Sequence, residues 1–149
     1  MTLIVHQLRS ATAGDLPKLK SFLTENGLPD LGVERYVQNF VIAEDEIGGL
    51  IGIAGLETYE NNGLLRSVAV RKDSRGKGVG RTLVNAVLGD ARAKGLGKVY
   101  LLTDDASGYF ERLGFQIVDR KDVDTTVKTS IEFTEACPDS AVVMRKTIG

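Results

Sequence analysis

The segment Arg75-Gly76-Lys77-Gly78-Val79-Gly80 has the clearest chemical consequence in this sequence. Three glycines at alternate positions leave peptide amides uncovered, and Lys72, Arg75, Lys77 and Arg81 surround them with positive charge. Where a helix begins, its first amides lack intrahelical partners and sit at the positive end of the macrodipole, so such a turn can cradle an anion. A hydrogen bond to an ionised oxygen contributes about 1.5–3 kcal/mol, and three or four well-aimed amides suffice for a pyrophosphate. Two familiar phosphate grips are excluded by spacing. A Walker loop needs GxxxxGK[ST], whereas Gly76 is followed five residues on by Arg81 and Thr82. A dinucleotide fingerprint needs GxGxxG, and position 81 is Arg. The plain alternative is a glycine-rich connector with solvated charges.

Other candidates lie in the apolar runs. Arg66 is a cation inside Leu64–Val70, and buried arginines are rare without a partner, so it pairs with a carboxylate, either a ligand's or the protein's own. Glu57 lies near the end of the run Leu50–Tyr59, where a carboxylate is either a plain exposed strand end or a base at a cleft mouth. The single histidine, His6, sits in the first predicted strand and reads as a surface or structural residue. Cys137, the single cysteine, precedes Pro138 and reads as an inert loop thiol rather than an acyl carrier or metalloid ligand.

The elements that position these residues follow from periodicity. Ile4 to Leu8 predicts a strand. Thr12 and Asp15 ahead of Leu16, Leu19, Phe22 and Leu23 predict a capped amphipathic helix with Pro17 in its first turn and Gly27 past its end. Val33 to Gln38 predicts a short helix. Phe40–Glu44, Leu50–Tyr59 and Leu64–Val70 predict an antiparallel meander whose hairpins fall at Asp45–Gly49 and Asn61-Asn62-Gly63. Val79, Leu83, Val84, Val87, Leu88 and Ala91 share one helical face, and Gly95 stops that helix. Lys98–Thr103, Ser107–Leu113 and Phe115–Asp119 then read as strand, helix and strand. A polar stretch, Lys121–Thr129, precedes a last strand, Ala141–Lys146. The strands flanking the long helix form a βαβ unit and are therefore parallel. The fold class is α+β with a mixed sheet.

A chain of 149 residues is the length of one ordinary domain, so residues 1–149 are read as a single one. The composition, 42% hydrophobic and 26% charged, is that of a compact globular chain. Nineteen basic against twenty acidic side chains give a net charge of −1, which supplies no field for a nucleic-acid backbone. One His and one Cys make no zinc framework or internal disulfide, so no metal and a reducing, cytoplasmic setting are expected. No apolar run approaches membrane-spanning length, and no membrane partner is expected.

Arg75-x-x-Gly78-x-Gly80 resembles the acetyl-CoA-binding signature [QR]xxGx[GA] of the GNAT superfamily of N-acetyltransferases. The preceding strand Leu64–Val70, the helix from Val79 and the later Tyr109-Phe110-Glu111-Arg112-Leu113-Gly114-Phe115 recur in that order in the family, so the resemblance spans about Arg9 to Asp119. Within it, Leu64–Val70, Tyr100–Thr103, Glu132-Phe133, Cys137-Pro138 and Ser140–Met144 look like the arsenic-resistance-associated N-acetyltransferases. The resemblance implies a largely antiparallel mixed sheet, flanked by helices and splayed where acetyl-CoA enters. Amides of Arg75, Gly76, Lys77, Gly78, Val79, Gly80 and Arg81 would hold the CoA pyrophosphate, and main-chain groups along Val68, Ala69 and Val70 would pair with the pantetheine arm. Alternation places Arg66, Val68 and Val70 on one face and Leu65, Ser67 and Ala69 on the other. Two positions depart from the family pattern. Phe110 stands where a tyrosine often protonates the leaving thiolate, with Tyr109 about 100° away on the helix, and Thr103 replaces a frequent asparagine. The departure makes Phe110 a residue that packs on the cofactor and leaves Tyr109 as the candidate acid.

Acetyl transfer needs a neutral amine. A lysine-like amine of pKa about 10.4 pays roughly 4.6 kcal/mol to be neutral at pH 7, whereas an α-amine near 8 needs only about 1.4, within reach of a weak or water-mediated base. Glu57 is the candidate base. Arg66 is the candidate clamp for an acceptor carboxylate, with Tyr36, Tyr59 and Arg35 lining the same cleft. The expected reaction is direct acetyl transfer to a small amino-acid-like amine, a glutamate-like or arsenic-containing analogue. A non-catalytic acyl-CoA-binding regulatory domain, motivated by the missing tyrosine, and a protein N-terminal or lysine acetyltransferase are the alternatives. A homodimer would form if the last strands paired across subunits.

Overall fold

The computed structural model describes residues 5–137 and 140–149. Its strands are β1 (Gln7–Ser10), β2 (Phe40–Glu44), β3 (Leu50–Tyr59), β4 (Asn62–Val70), β5 (Lys98–Thr103), β6 (Gln116–Val118) and β7 (Val142–Thr147). Its α-helices are α1 (Leu16–Glu25), α2 (Val79–Ala93) and α3 (Ser107–Arg112). The strands form one mixed seven-stranded sheet in the order β1-β2-β3-β4-β5-β7-β6. The pairs β1/β2, β2/β3, β5/β7 and β6/β7 are antiparallel, and β4/β5, joined through α2, is parallel. This is the α+β architecture expected from the periodicities. Among the described residues no helix is long and apolar enough to cross a membrane.

The chain divides into two compact units, Met1–Leu56 with Ser67–Val87, and Glu57–Arg66 with Leu88–Gly149. Strands β3 and β4 and helix α2 each contribute to both. In the first unit, Leu19, Phe22 and Leu23 of α1 pack with Phe40, Ile42, Ile53 and Ala69 in one buried cluster, with Tyr36 and Val37 against it. The helix start is well secured. Asp15 accepts from the Thr12 amide at 2.7 Å and takes both guanidinium nitrogens of Arg9, at 2.8 and 2.9 Å. Arg9 thereby holds the Asp15 carboxyl well below the usual carboxylate range. This depressed group stabilises the fold above the unfolded carboxylate pKa, and the contribution is lost as pH falls below about 4. Asp15→Ala removes the capping box and a charge-assisted fork together, and should lower the unfolding free energy by about 2–3 kcal/mol in urea titrations at neutral pH.

In the second unit, Leu64, Tyr100, Val123, Val127 and Val143 form the core, with Tyr59, Leu102, Val118 and Phe133 packed against it. The parallel ladder between β4 and β5 is short, running from Asn62 opposite Lys98 to Leu64 opposite Tyr100. The ladder's last pair is Leu64 with Tyr100, two residues before Arg66.

Several boundaries differ from expectation. Of the predicted strand Ile4–Leu8, Ile4 lies outside the described residues, and β1 runs later, over Gln7–Ser10. Val33–Gln38 forms two 3-10 turns rather than one helical turn. The second hairpin turns at Glu60 and Asn61, with Glu60 at φ 54°, because Asn62 and Gly63 are drawn into pairing with β5. Simple alternation along β4 also fails. Ser67 sits at φ 59°, a left-handed conformation rare in a strand, so the side-chain register does not continue unbroken from Arg66 into Val68.

Candidate active site

The glycine turn belongs to the first unit. Gly76 and Gly78 have φ of 76° and 84°, left-handed values that explain glycine at both positions. A Cβ at either would meet nothing within 4 Å, so the requirement is one of backbone conformation, and the turn is open. The first amide of α2 to find a helical partner is that of Thr82, donating to the Gly78 carbonyl at 3.1 Å. Among the described residues no backbone bond closes on the amides from Gly76 to Arg81. Those of Val79, Gly80 and Arg81 are orphan donors of a 15-residue helix, and those of Gly76, Lys77 and Gly78 lie in the turn before it. Lys72, Lys77 and Arg81 are exposed around them. The Arg75 side chain is a strut for the turn: Nε donates to the Val70 carbonyl at 2.9 Å and a terminal nitrogen to Asn26 Oδ1 at 2.9 Å. It ties the turn to the ends of β4 and α1. Val68 and Val70 are half-buried and Ala69 is buried in the core.

The second unit holds a buried polar cluster. Glu57, expected at an exposed cleft mouth, is 0% exposed and Arg66 is 3% exposed. An Arg66 guanidinium nitrogen donates to Glu57 Oε2 at 2.8 Å, and the hydroxyls of Tyr59 and Ser130 each donate to Glu57 Oε1 at 2.5 Å. Burial of the carboxylate is tolerable because three donors replace its water. Arg66 therefore has a carboxylate of the protein itself as partner. Glu132, on a single π-helical turn Glu132–Ala136, extends the cluster, with Oε1 3.9 Å from Arg66 Nε. The Glu132 amide donates to Ser130 Oγ at 3.1 Å, so one hydroxyl links the π-turn to Glu57. Burial raises the Glu132 carboxyl above its ordinary value, against the pull of Arg66. Ser130 was not among the sequence candidates and Glu132 appeared only in the family resemblance. The one available signal was Arg66, whose charge in an apolar strand demands a carboxylate.

The remaining candidates fall as follows. Tyr59 joins the cluster just described, whereas Tyr36 packs on the hydrophobic core of the first unit and Arg35 is exposed. Thr103 Oγ1 accepts from the Ala106 amide at 3.0 Å and so shapes the turn from β5 into α3. Phe110 is 7% exposed and packs edge-on against Phe115 at 5.9 Å and Tyr109 at 5.2 Å between centroids. Tyr109 is half-buried. Burial, then the charges of Glu132 and Asp104, push the Cys137 thiol up to about 12. A thiol that stays protonated is a weak nucleophile. Native protein should react with iodoacetamide at pH 8 at least about 100-fold more slowly than urea-unfolded protein; equal rates would contradict the burial described.

Residues 37–117 match the family model of the acetyltransferase (GNAT) domain, more than half of the chain. The chain belongs to the GNAT acetyltransferase family. Among curated relatives, an amino-acid acetyltransferase of Mycobacterium tuberculosis is 30% identical over 141 residues, covering 87% of this chain and 76% of that protein. An uncharacterized N-acetyltransferase of Chlorobaculum tepidum is 31% identical over 87 residues, 58% of this chain and 55% of that one. The chain thus spans about half the length of the latter. Among solved structures, N-acetylglutamate synthase of Neisseria gonorrhoeae, complexed with coenzyme A and N-acetyl-glutamate, superposes with TM-score 0.83 at 21% identity, covering all of this chain and 36% of that one. At that identity the likeness is one of fold. The matched residues include β4, the glycine turn opening α2, and β5.

Proposed function

We propose that this GNAT chain transfers the acetyl group of acetyl-CoA directly to the amino group of a small amino-acid-like acceptor. The observation that carries the reading is the turn from Gly76 to Arg81, whose amides have no backbone partner among the described residues and whose rim carries exposed Lys72, Lys77 and Arg81. It is a preorganised receptor for the CoA diphosphate. Main-chain groups of Val68, Ala69 and Val70 take the pantetheine arm, with the Val70 carbonyl shared with Arg75. Thr103, which shapes the turn into α3, and Phe110, packed against Phe115 and Tyr109, border the cofactor. With phenylalanine at position 110, the leaving thiolate takes its proton from the attacking amine, and Tyr109 remains the candidate for assisting it. The protonated Cys137 fits direct transfer without an acyl-enzyme.

The acceptor class is supported by the relative from Mycobacterium tuberculosis, named an amino-acid acetyltransferase, and by the Neisseria gonorrhoeae synthase, solved with N-acetyl-glutamate. A glutamate-like acceptor, or its arsenic-containing analogue, is the finer assignment; the latter rests on the resemblance of Leu64–Val70, Glu132-Phe133 and Ser140–Met144 to the arsenic-resistance-associated enzymes.

Thiol release from acetyl-CoA, followed with a panel of free amino acids, an arsenic-bearing glutamate analogue, a peptide with a free N-terminus and a lysine peptide, tests the proposal. Turnover with free amino acids and none with the peptides is the expected result. Turnover only with peptides would make the chain a protein acetyltransferase. CoA binding without thiol release on any amine would make it a regulatory acyl-CoA sensor.

A further inference from the structure

We propose that Glu132 is the receptor for the acceptor's amino group, with Oε2 accepting an ammonium N–H and then taking the proton that frees the nitrogen lone pair. The inference rests on the amino-acid acetyltransferase reading and names the group that does its proton chemistry. Glu132 is 7% exposed, yet Oε2 is buried without a hydrogen-bond partner among the described residues. A buried carboxylate oxygen left unbonded costs about 1–3 kcal/mol, more when charged, and an ammonium N–H donated to it would recover that cost.

The charge count points to a cation. Glu57 and Glu132 present two carboxylates to the single guanidinium of Arg66, 2.8 Å from one and 3.9 Å from the other. The closer pair leaves Glu132 undercompensated, and a proton or an ammonium restores neutrality. The other ionisable side chain acting here is the protonated Cys137 thiol, which hydrogen-bonds the Glu132 carboxylate but brings no charge, with Asp104 and Arg120 acting on that thiol. Glu57 is unsuited to the task because Arg66, Tyr59 and Ser130 already occupy its oxygens. Arg66 and Ser130 are then positioning residues: Arg66 balances both carboxylates, and Ser130 Oγ fixes the Glu132 amide. Position along the chain agrees. Arg66 lies two residues past the last β4/β5 pair, Leu64 opposite Tyr100, and Asp104, the residue after β5, acts on Cys137 just past the π-turn.

The step balances without a further reactant. The ammonium N–H bond breaks to Glu132, giving a neutral amine and a carboxylic acid. The nitrogen lone pair forms the new C–N bond at the thioester carbonyl as the C–S bond breaks and its electrons leave on sulfur. A second nitrogen proton passes to the thiolate, giving CoA-SH and the amide, and Glu132 releases its proton to solvent.

Steady-state kinetics of E132Q beside wild type, with a free amino acid that the wild type acetylates, decides the matter. Glutamine keeps the shape and loses the proton acceptor, so acceptor kcat/KM should fall at least about 100-fold while the acetyl-CoA KM stays within about 2-fold. Acceptor kcat/KM within about 3-fold of wild type would overturn the inference while leaving the acetyltransferase reading intact. A wild type inert toward every amine would defeat that reading and this inference with it. Should E132Q fail to fold, E132D carries the same test. Its carboxylate, set one methylene back, is expected to lower acceptor kcat/KM about 10-fold at unchanged acetyl-CoA KM, and unchanged kinetics would overturn the inference.

Discussion

Arg66→Ala is expected to destabilise the protein by about 3–5 kcal/mol, the usual cost of leaving one partner of a buried ion pair without the other. The side chains of Arg66 and Glu57 are both 0% exposed, 2.8 Å apart, and the substitution strands the Glu57 carboxylate on two hydroxyl donors, Tyr59 and Ser130. In a chain of this size the thermal midpoint should fall by roughly 10 °C. The loss comes from isolation of charge, so replacing all three charged members with apolar side chains, as in an E57L/R66M/E132L triple variant, should recover at least about half of it. Urea unfolding of the two variants measures this. Arg66 as a free clamp for an acceptor carboxylate predicts another pattern: unchanged stability with a selective rise in acceptor KM. That pattern would contradict the pairing described here.

The second large effect is on cofactor affinity. Gly78 has φ 84°, where valine is strained by about 1–3 kcal/mol, so Gly78→Val must either store that strain or swing the peptide group out of the turn. Either response misaims the amides of Val79 and Gly80, and loss of one or two charge-assisted bonds should weaken CoA binding about 100-fold. A control lies in the same helix. Gly89, in the interior of α2, would meet nothing within 4 Å of an added Cβ, and Gly89→Ala should raise stability by about 0.5–1 kcal/mol while leaving CoA affinity unchanged.

The sequence was legible where local signals decide structure. Strands β2, β3 and β5 and helix α1 carry their own periodicity and end at glycine, proline or acidic punctuation, and α2 reveals itself by a face of six apolar residues ahead of Gly95. The glycine turn was legible for the same reason, since left-handed φ at Gly76 and Gly78 is a local demand. What escaped depends on distant partners. Glu57 looks like an exposed strand end until Ser130, 73 residues away, donates a hydroxyl to it. Glu132 sits on a π-turn in a tail whose composition reads only as polar, and π-turns have no periodic signature. The hairpin slipped from Asn61-Asn62-Gly63 to Glu60-Asn61 because pairing with β5, a long-range contact, outweighed the local turn preference.

Calorimetric titration of the wild-type chain with CoA, and in parallel with pantetheine, which lacks the diphosphate, tests most directly whether the amides of Gly76 to Arg81 hold a diphosphate. One-to-one binding of CoA, at least about 100-fold tighter than pantetheine, is the expected result. Equal affinity for the two compounds, or no heat with CoA at all, would contradict it.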